Sequence, residues 1–227
     1  DYVVGYGSSY SENYSNSPYF KNKNYVYLHR NPEFENLYNP NKKILNTNLE
    51  GNNYYFPTTL RGANYRHGPY QDIPDKIYLD WQSELNETFR GNIITKMHPK
   101  EKFTFLYEDK IFKKVYGKFF DIIKDANLFV FDYFSTVFIE ACTTDKPIIF
   151  FDLGIRNINP KSLELIKKRV VYFDIIKDGI PDRDTISRRV QNEEFNYDFV
   201  TKYSISKNIN KKSSGIANLI NDILWIL

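Results

Sequence analysis

The chain has 227 residues, of which 41% are hydrophobic and 26% charged, and this length fits about one to one and a half domains. The apolar fraction excludes a disordered chain, and no apolar run approaches the roughly 18 residues of a membrane helix. A single cysteine, Cys142, excludes a disulfide framework and a cysteine-based zinc site. With 31 basic against 28 acidic residues, the net charge of +3 argues against nucleic acid as a partner.

Residues 1–52 differ in composition from the rest of the chain. Tyr2–Val4 and Tyr25–His29 are predicted to be short strands, and the Ser-, Asn- and Tyr-rich stretch between them reads as a long loop. A biased genome is the alternative explanation of this composition, and the simpler one. Because the chain begins at Asp1 without a signal-like segment, we expect residues 1–52 to be the tail and linker of an upstream N-terminal domain.

From Asn53 onward, short apolar runs alternate with longer amphipathic runs. The predicted strands are Tyr54–Phe56, Ile93–Met97, Phe103–Tyr107, Leu128–Phe131, Ile148–Phe151 and Val170–Phe173. The predicted helices begin at Pro74, Ile111 and Ser135 or include Leu163–Ile166 and Thr185–Val190. This alternation predicts the α/β class, a doubly wound Rossmann-like parallel sheet over residues 53–214, with a docking helix over residues 215–227.

Ligands of such sheets bind outside the carboxyl ends of the strands, where the strand Leu128–Phe131 is followed by several polar residues. Asp132 ends the strand, Ser135 and Thr136 open the next helix, and Glu140 lies one turn further along. The free N–H groups and dipole of a helix start, together with two hydroxyls, suit a phosphate, and Glu140 could then bind a ribose. Structural roles fit equally well: an N-cap for Ser135, a turn residue for Asp132 and a solvated charge for Glu140.

A second candidate position follows the strand Ile93–Met97. Lys96 and His98 alternate at its end, so both are predicted to point toward the same mouth of the site. His98 suits a general acid or the neutralisation of a phosphate, although a structural role is the alternative.

Two further loops carry candidate binding residues. The loop after the first strand of the sheet contains Thr58, Arg61, Arg66 and His67 and is able to wrap an anion, although an ordinary polar loop is the alternative. Asp152 follows the strand Ile148–Phe151 and is placed to contact a sugar or a base, with a turn as the alternative.

The segments Lys96-Met97-His98-Pro99, Asp132 to Ala141 and Lys146-Pro147-Ile148-Ile149-Phe150 resemble the C-terminal domain of bacterial surface-polysaccharide transferases. The nearest groups are the O-antigen or capsule biosynthesis proteins and, more remotely, the CDP-glycerol glycerophosphotransferases of teichoic acid synthesis. Both are similar to the GT-B architecture, in which two Rossmann-like domains face a cleft. The resemblance covers roughly residues 53–190 and implies that this chain is the C-terminal half of such an enzyme.

The resemblance implies a role for each matching residue. The C-terminal domain of such enzymes usually binds a nucleotide-activated donor, so Ser135 and Thr136 would hold the diphosphate and Glu140 the ribose. His98 and Asp132 match active-site positions of the glycerophosphotransferases and are therefore the predicted catalytic residues.

One departure from the resemblance and one requirement of the chemistry shape the expected function. Phe134 stands where the glycerophosphotransferases more often have a small serine, which favours a sugar donor over glycerol phosphate. Lys96, with Arg61 or Arg66, is expected to stabilise the departing diphosphate, and neither a metal nor a cofactor is expected.

The resulting expectation is a cytoplasmic glycosyltransferase, associated peripherally with the inner membrane. Its partners would be a nucleotide-sugar donor, a glycan or lipid-linked acceptor and the N-terminal domain. A nucleotide-sugar epimerase of the same fold and a non-catalytic nucleotide- or glycan-binding module are the alternatives.

Overall fold

The computed structural model describes residues 2–6, 24–28, 37, 39, 41–58, 75–99, 101, 103–154 and 158–203. Near the start of the chain, β1 (Tyr2–Tyr6) and β2 (Asn24–Leu28) pair in parallel as a two-stranded sheet, with Tyr2 opposite Asn24. These two strands match the two predicted for residues 1–52.

A second sheet contains six strands, all parallel. They are β3 (Asn53–Phe56), β4 (Ile94–Lys96), β5 (Lys113–Val115), β6 (Leu128–Phe131), β7 (Ile148–Asp152) and β8 (Val171–Asp174). Their order is β5-β4-β3-β6-β7-β8, so the chain winds outward from β3, returns to the centre at β6 and winds outward in the other direction. This order confirms the predicted doubly wound, Rossmann-like α/β fold and puts its topological switch point between β3 and β6.

Helices flank this sheet on both faces. They are α1 (Asp75–Thr88), α2 (Phe119–Ile122), α3 (Thr136–Cys142), α4 (Pro160–Lys167), α5 (Ile175–Asp178), α6 (Arg183–Asn192) and α7 (Asp198–Tyr203). One face packs against α2, α3, α4 and α7, and the other against α1 and α6. Within the described part of the chain, no helix combines the length and apolar character needed to cross a membrane.

The central strands alternate their side chains between these two helical layers. On β6, Phe129 and Phe131 pack toward α3, whereas Leu128 and Val130 pack toward α1. All four are fully buried, which is why the strand reads as a continuous apolar run. The alternation also decides the face on which each residue beyond the strand end lies.

The connection between β4 and α2 differs from its prediction in two places. The predicted strand Phe103–Tyr107 is instead a 3₁₀ turn at Thr104–Leu106, in which the N–H of Leu106 donates to the carbonyl of Phe103 at 2.9 Å. The helix predicted over residues 111–125 is instead β5 followed by α2. The apolar residues spaced four apart in this segment do not lie on one helix, because Gly117 adopts a φ of +102° and separates the strand from the short helix.

Residues 41–52 pack against the six-stranded sheet, although the sequence analysis assigns them to the linker. Ile44 and Leu49 are buried, and the N–H of Leu45 donates to the carbonyl of Asp145 at 3.0 Å. This part of the predicted linker therefore belongs to the α/β domain. The docking helix predicted over residues 215–227 lies outside the described residues.

Candidate functional site

A cavity of about 750 Å³ opens at the carboxyl ends of β3, β4 and β6, beside the topological switch point. Four segments line it: Phe56–Pro57, Lys96–Pro99, Gly117–Phe120 and Tyr133–Val137, together with Glu140. Its volume is that of a site for a small molecule or a cofactor-sized ligand. The structure therefore has a ligand-sized cavity where doubly wound sheets bind their ligands.

Lys96 brings a buried amino group to this cavity. It is the last residue of β4, is 7% exposed, and donates from Nζ to the carbonyl of Met97 at 3.2 Å. Among the described residues, no carboxylate forms an ion pair with it. Burial lowers the pKa of Lys96, and the negative charge of Asp121 partly opposes that shift. An anion entering the cavity would therefore meet a poorly hydrated cation.

His98 and Lys118 add two further nitrogen-bearing side chains to the lining. His98 is exposed and lines the same cavity as Lys96, as the alternation at the strand end predicts. Lys118 precedes α2, and its backbone N–H donates to Oδ2 of Asp121 at 2.9 Å. Lys118 is not among the site residues predicted from the sequence, because it falls inside the predicted helix over residues 111–125. Gly117, immediately before it, is the sequence signal that the helix does not continue there.

The start of α3 forms the opposite wall. Ser135 is the N-cap of this helix, since its Oγ accepts from the N–H of Phe138 at 3.2 Å. Thr136 is exposed, Glu140 is half-buried, and both line the cavity with Ser135. The structure thus brings Ser135, Thr136 and Glu140 together with Lys96 and His98, while their roles toward a ligand stay predictions.

Phe134 fills the space between this wall and the sheet. Its ring packs edge-on against Phe138, with the centroids 5.0 Å apart, and lies 4.6 Å from that of Phe150. A second aromatic surface is formed by Phe56, which stacks on Phe131 at 4.7 Å. The lining therefore combines rigid aromatic walls with a few polar groups, as ligand sites usually do.

Asp132 lies apart from the cavity, on the α1 face of the sheet. Its carboxylate is 3% exposed and accepts hydrogen bonds from the hydroxyl of Tyr55, the N–H of Thr58 at 2.9 Å and Nε1 of Trp81 at 3.1 Å. Burial raises the pKa of Asp132 to about 6, and the three donors oppose this shift. The predicted catalytic pair of Asp132 and His98 is therefore not brought together, because strand alternation turns Asp132 away from the face that carries α3.

Of the remaining predicted binding residues, Thr58 and Asp152 are described by the structure and lie outside the lining of this cavity. Thr58 is buried and engages Asp132 through its backbone. Asp152 accepts from the hydroxyl of Tyr172 and the N–H of Gly154, and it lines a second, much smaller cavity. The predicted anion-binding residues Arg61, Arg66 and His67 lie outside the described residues.

Comparisons with known proteins do not assign this site. No model of a known protein family matches the sequence, and no curated protein is significantly similar to it. Within the residues that the structure describes, no group of His, Cys, Asp and Glu side chains could hold a metal ion. The geometry of the cavity and the motifs that line it are therefore the features that indicate a function.

Proposed function

We propose that this chain binds the nucleotide of an activated sugar and is the donor-binding domain of a GT-B glycosyltransferase of bacterial surface-polysaccharide biosynthesis. The supporting observation is a single cavity, at the switch point of the sheet, that is lined by Lys96, Lys118, Ser135 and Thr136. Two cations and two hydroxyls facing one ligand-sized space suit a diphosphate. The segments that contain Lys96, Ser135 and Thr136 also resemble surface-polysaccharide transferases, which supports sugar transfer as the reaction.

The charges in the cavity favour an anionic ligand at the end nearest to Lys96. Because this side chain is almost fully buried, the attraction between its ammonium group and a phosphate is screened less than it would be at the surface. Lys118 would add a second, exposed cation from the other side of β4. The two lysines together would balance the charge of a bound diphosphate.

The other groups of the cavity suit the remainder of a nucleotide. Glu140 is a half-buried acceptor on the wall formed by α3, where it could bind the ribose hydroxyls. Phe120 lines the cavity with 47% of its side chain exposed, so it offers a face on which a planar base could stack. The volume and the lining are therefore both adequate for a nucleoside diphosphate with its sugar.

In the proposed reaction, a hydroxyl of the acceptor attacks the anomeric carbon of the donor sugar. The bond between this carbon and the phosphate oxygen breaks, and the diphosphate leaves with the bonding electrons. Lys96 would stabilise the charge that develops on the diphosphate. His98, exposed at the mouth of the cavity, is placed to accept the proton of the attacking hydroxyl and release it to solvent.

The proposal is tested by thermal unfolding of the 227-residue chain in the presence of UDP, GDP, CDP, CMP and ADP. A nucleotide at 100 times its dissociation constant should stabilise the folded chain by about 2.7 kcal/mol. We expect at least one of these nucleotides to raise the transition temperature in a concentration-dependent way. If none of them does so at millimolar concentration, the proposed donor site is wrong.

A pair of double variants locates the binding. Replacing Ser135→Ala together with Glu140→Ala should remove the shift caused by the nucleotide. The matched control replaces Ser187→Ala with Glu194→Ala, the same residue types at the α6 side of the sheet, and should leave the shift intact. Because an N-cap variant is itself less stable, the quantity compared is the shift caused by the nucleotide. A shift that survives the first double variant would contradict the proposed location.

A further inference from the structure

Two loops that line the cavity begin side by side at the centre of the sheet. Phe56 on β3 is in register with Phe131 on β6, so Pro57 and Asp132 are the first residues beyond the paired strands. From this point the chain continues to α1 on one face and to α3 on the other. Pro57 and Tyr133, which line the cavity where these loops begin, form the cavity floor. Its shape depends on how the two diverging loops are held together.

Asp132 is the side chain that joins them. Its Oδ1 accepts from the backbone N–H of Thr58, in the loop after β3, at 2.9 Å, while its Oδ2 accepts from Tyr55 on β3 and Trp81 on α1. Asp132 itself begins the loop that continues with Tyr133 into the cavity wall. One carboxylate thus connects β3, the loop after it, α1 and the loop after β6.

We propose that Asp132 is a positioning residue that fixes the two loops of the cavity floor and does not itself touch the ligand. Its influence on a ligand would pass through Pro57 on one loop and Tyr133 on the other, and this part of the inference rests on the proposed function of the cavity. The role differs from the catalytic one expected from the sequence. The positioning role follows from the direction of the carboxylate of Asp132, which points to the face of the sheet opposite α3.

The energetics of this group fit such a role. A buried carboxylate is destabilising unless donors surround it, and Asp132 has three. Among the described residues, the titratable groups that face it are the phenols of Tyr55 and Tyr107, both fully buried. No positive charge stands among these described groups, so the hydroxyl of Tyr55, the N–H of Thr58 and the indole N–H of Trp81 hold the carboxylate in place.

The test compares Asp132→Asn with the wild-type chain by hydrogen exchange and by binding of UDP, GDP, CDP and ADP. The amide side chain keeps the volume of the carboxyl but has only one acceptor oxygen for three donors. Tyr54→Phe is the matched control, because it removes another tyrosine–aspartate hydrogen bond of β3, the 2.7 Å contact with Asp125. Trp81→Phe removes one of the three donors and leaves Asp132 unchanged. This variant replaces Asp132→Asn in the experiment if Asp132→Asn does not fold.

We expect amide exchange in residues 54–58 and 132–138 to be about tenfold faster in Asp132→Asn, a change of about 1.4 kcal/mol. Nucleotide affinity should weaken by a similar factor, and Tyr54→Phe should change neither quantity in these segments. Unchanged exchange in both loops would overturn the proposal, and so would weaker binding with unchanged exchange, since that would indicate direct contact. If no nucleotide binds the wild-type chain, the proposed function fails, while the exchange data still decide the role of Asp132.

Discussion

The hydroxyl of Tyr55 on β3 donates a hydrogen bond to the carboxylate of Asp132, which follows β6 on the face of the sheet that carries α1. Tyr55 is 1% exposed and Asp132 is 3% exposed. Burial raises the pKa of both groups, to about 6 for Asp132 and well above its usual range for Tyr55. At neutral pH the pair therefore consists of a neutral phenol and an ionised carboxylate that is held by donors alone.

This raised pKa makes the stability of the chain depend on pH in a defined direction. The pKa of Asp132 is about 6 in the folded chain against an ordinary value of 3.8, so between these values the folded chain binds more protons than the unfolded chain. The contribution of Asp132 to the free energy of unfolding therefore falls as pH rises through 6. Between pH 5 and pH 7 we expect the wild-type chain to lose roughly 1 kcal/mol relative to Asp132→Asn in urea denaturation.

The variant also provides the control, because all other groups titrate alike in the two proteins. The indole N–H of Trp81, which donates to Asp132, gives an independent reading by NMR. Its signal should titrate with a midpoint near pH 6 in the wild-type chain and should not titrate in Asp132→Asn. A stability difference that stays constant from pH 5 to pH 7 would show that Asp132 keeps one ionisation state in this range.

The centre of the fold could be predicted from the sequence because parallel central strands are buried on both faces. Leu128–Phe131 and Ile148–Phe151 are apolar at every position, a pattern that fits few other elements of this length. The edge strand β5 (Lys113–Val115) is partly exposed and carries two lysines. The sequence of β5 therefore does not show a clear strand pattern, and this is why the sequence predicts a helix over residues 111–125 instead.

The candidate site could be predicted in its position but not in all its members. Ligands of doubly wound sheets bind outside the carboxyl ends of the strands, which predicts a site that includes Lys96, Ser135 and Glu140. The structure places all three around one cavity. Asp132 also follows the carboxyl end of a strand, yet its side chain points to the face of the sheet that carries α1. Strand alternation sets the face toward which a strand-end side chain points, but whether that face is the one beside the cavity depends on where the next helix packs, and this is a property of the tertiary fold.

Lys96→Met should weaken nucleotide binding while stabilising the chain. The methionine keeps an unbranched apolar stem but removes an amino group whose burial lowers its pKa, so the unfavourable desolvation disappears. We expect affinity for the best nucleotide of the panel to fall at least about tenfold, and the transition temperature without nucleotide to rise. Isothermal titration and thermal unfolding measure the two effects.

Lys110→Met is the matched control for this experiment. Lys110 is exposed and lies between β4 and β5, outside the lining of the cavity. This variant should alter neither the nucleotide affinity nor the transition temperature appreciably. Equal affinities of the Lys96 variant and the wild-type chain would remove Lys96 from the binding site.

Asn53→Leu should destabilise the chain at the amino-terminal ends of the central strands. The fully buried Nδ2 of Asn53 donates to the carbonyls of Leu49 at 2.9 Å and Asn92 at 2.8 Å, while Oδ1 accepts from Asn127 at 3.0 Å. Leucine has a similar size but leaves these three groups without that partner, so we expect a loss of about 2 kcal/mol or more in urea denaturation. Asn192→Ala, which removes an exposed asparagine on α6, should cause little change, and equal effects of the two variants would contradict the prediction.

Arg169→Met should destabilise the layer formed by α3. The guanidinium of Arg169 is fully buried and donates to the carbonyls of Cys142 at 2.8 Å, Thr144 at 2.8 Å and Lys146 at 3.1 Å, at and just beyond the end of that helix. Methionine preserves much of the volume but leaves these carbonyls without this donor, so we expect a loss of about 3 kcal/mol or more in the free energy of unfolding. Urea denaturation measures this loss, and the exposed Arg188→Met is the control for removing an arginine. Because the buried cation is also desolvated, a variant as stable as the wild-type chain would mean that burial offsets all of its hydrogen bonds.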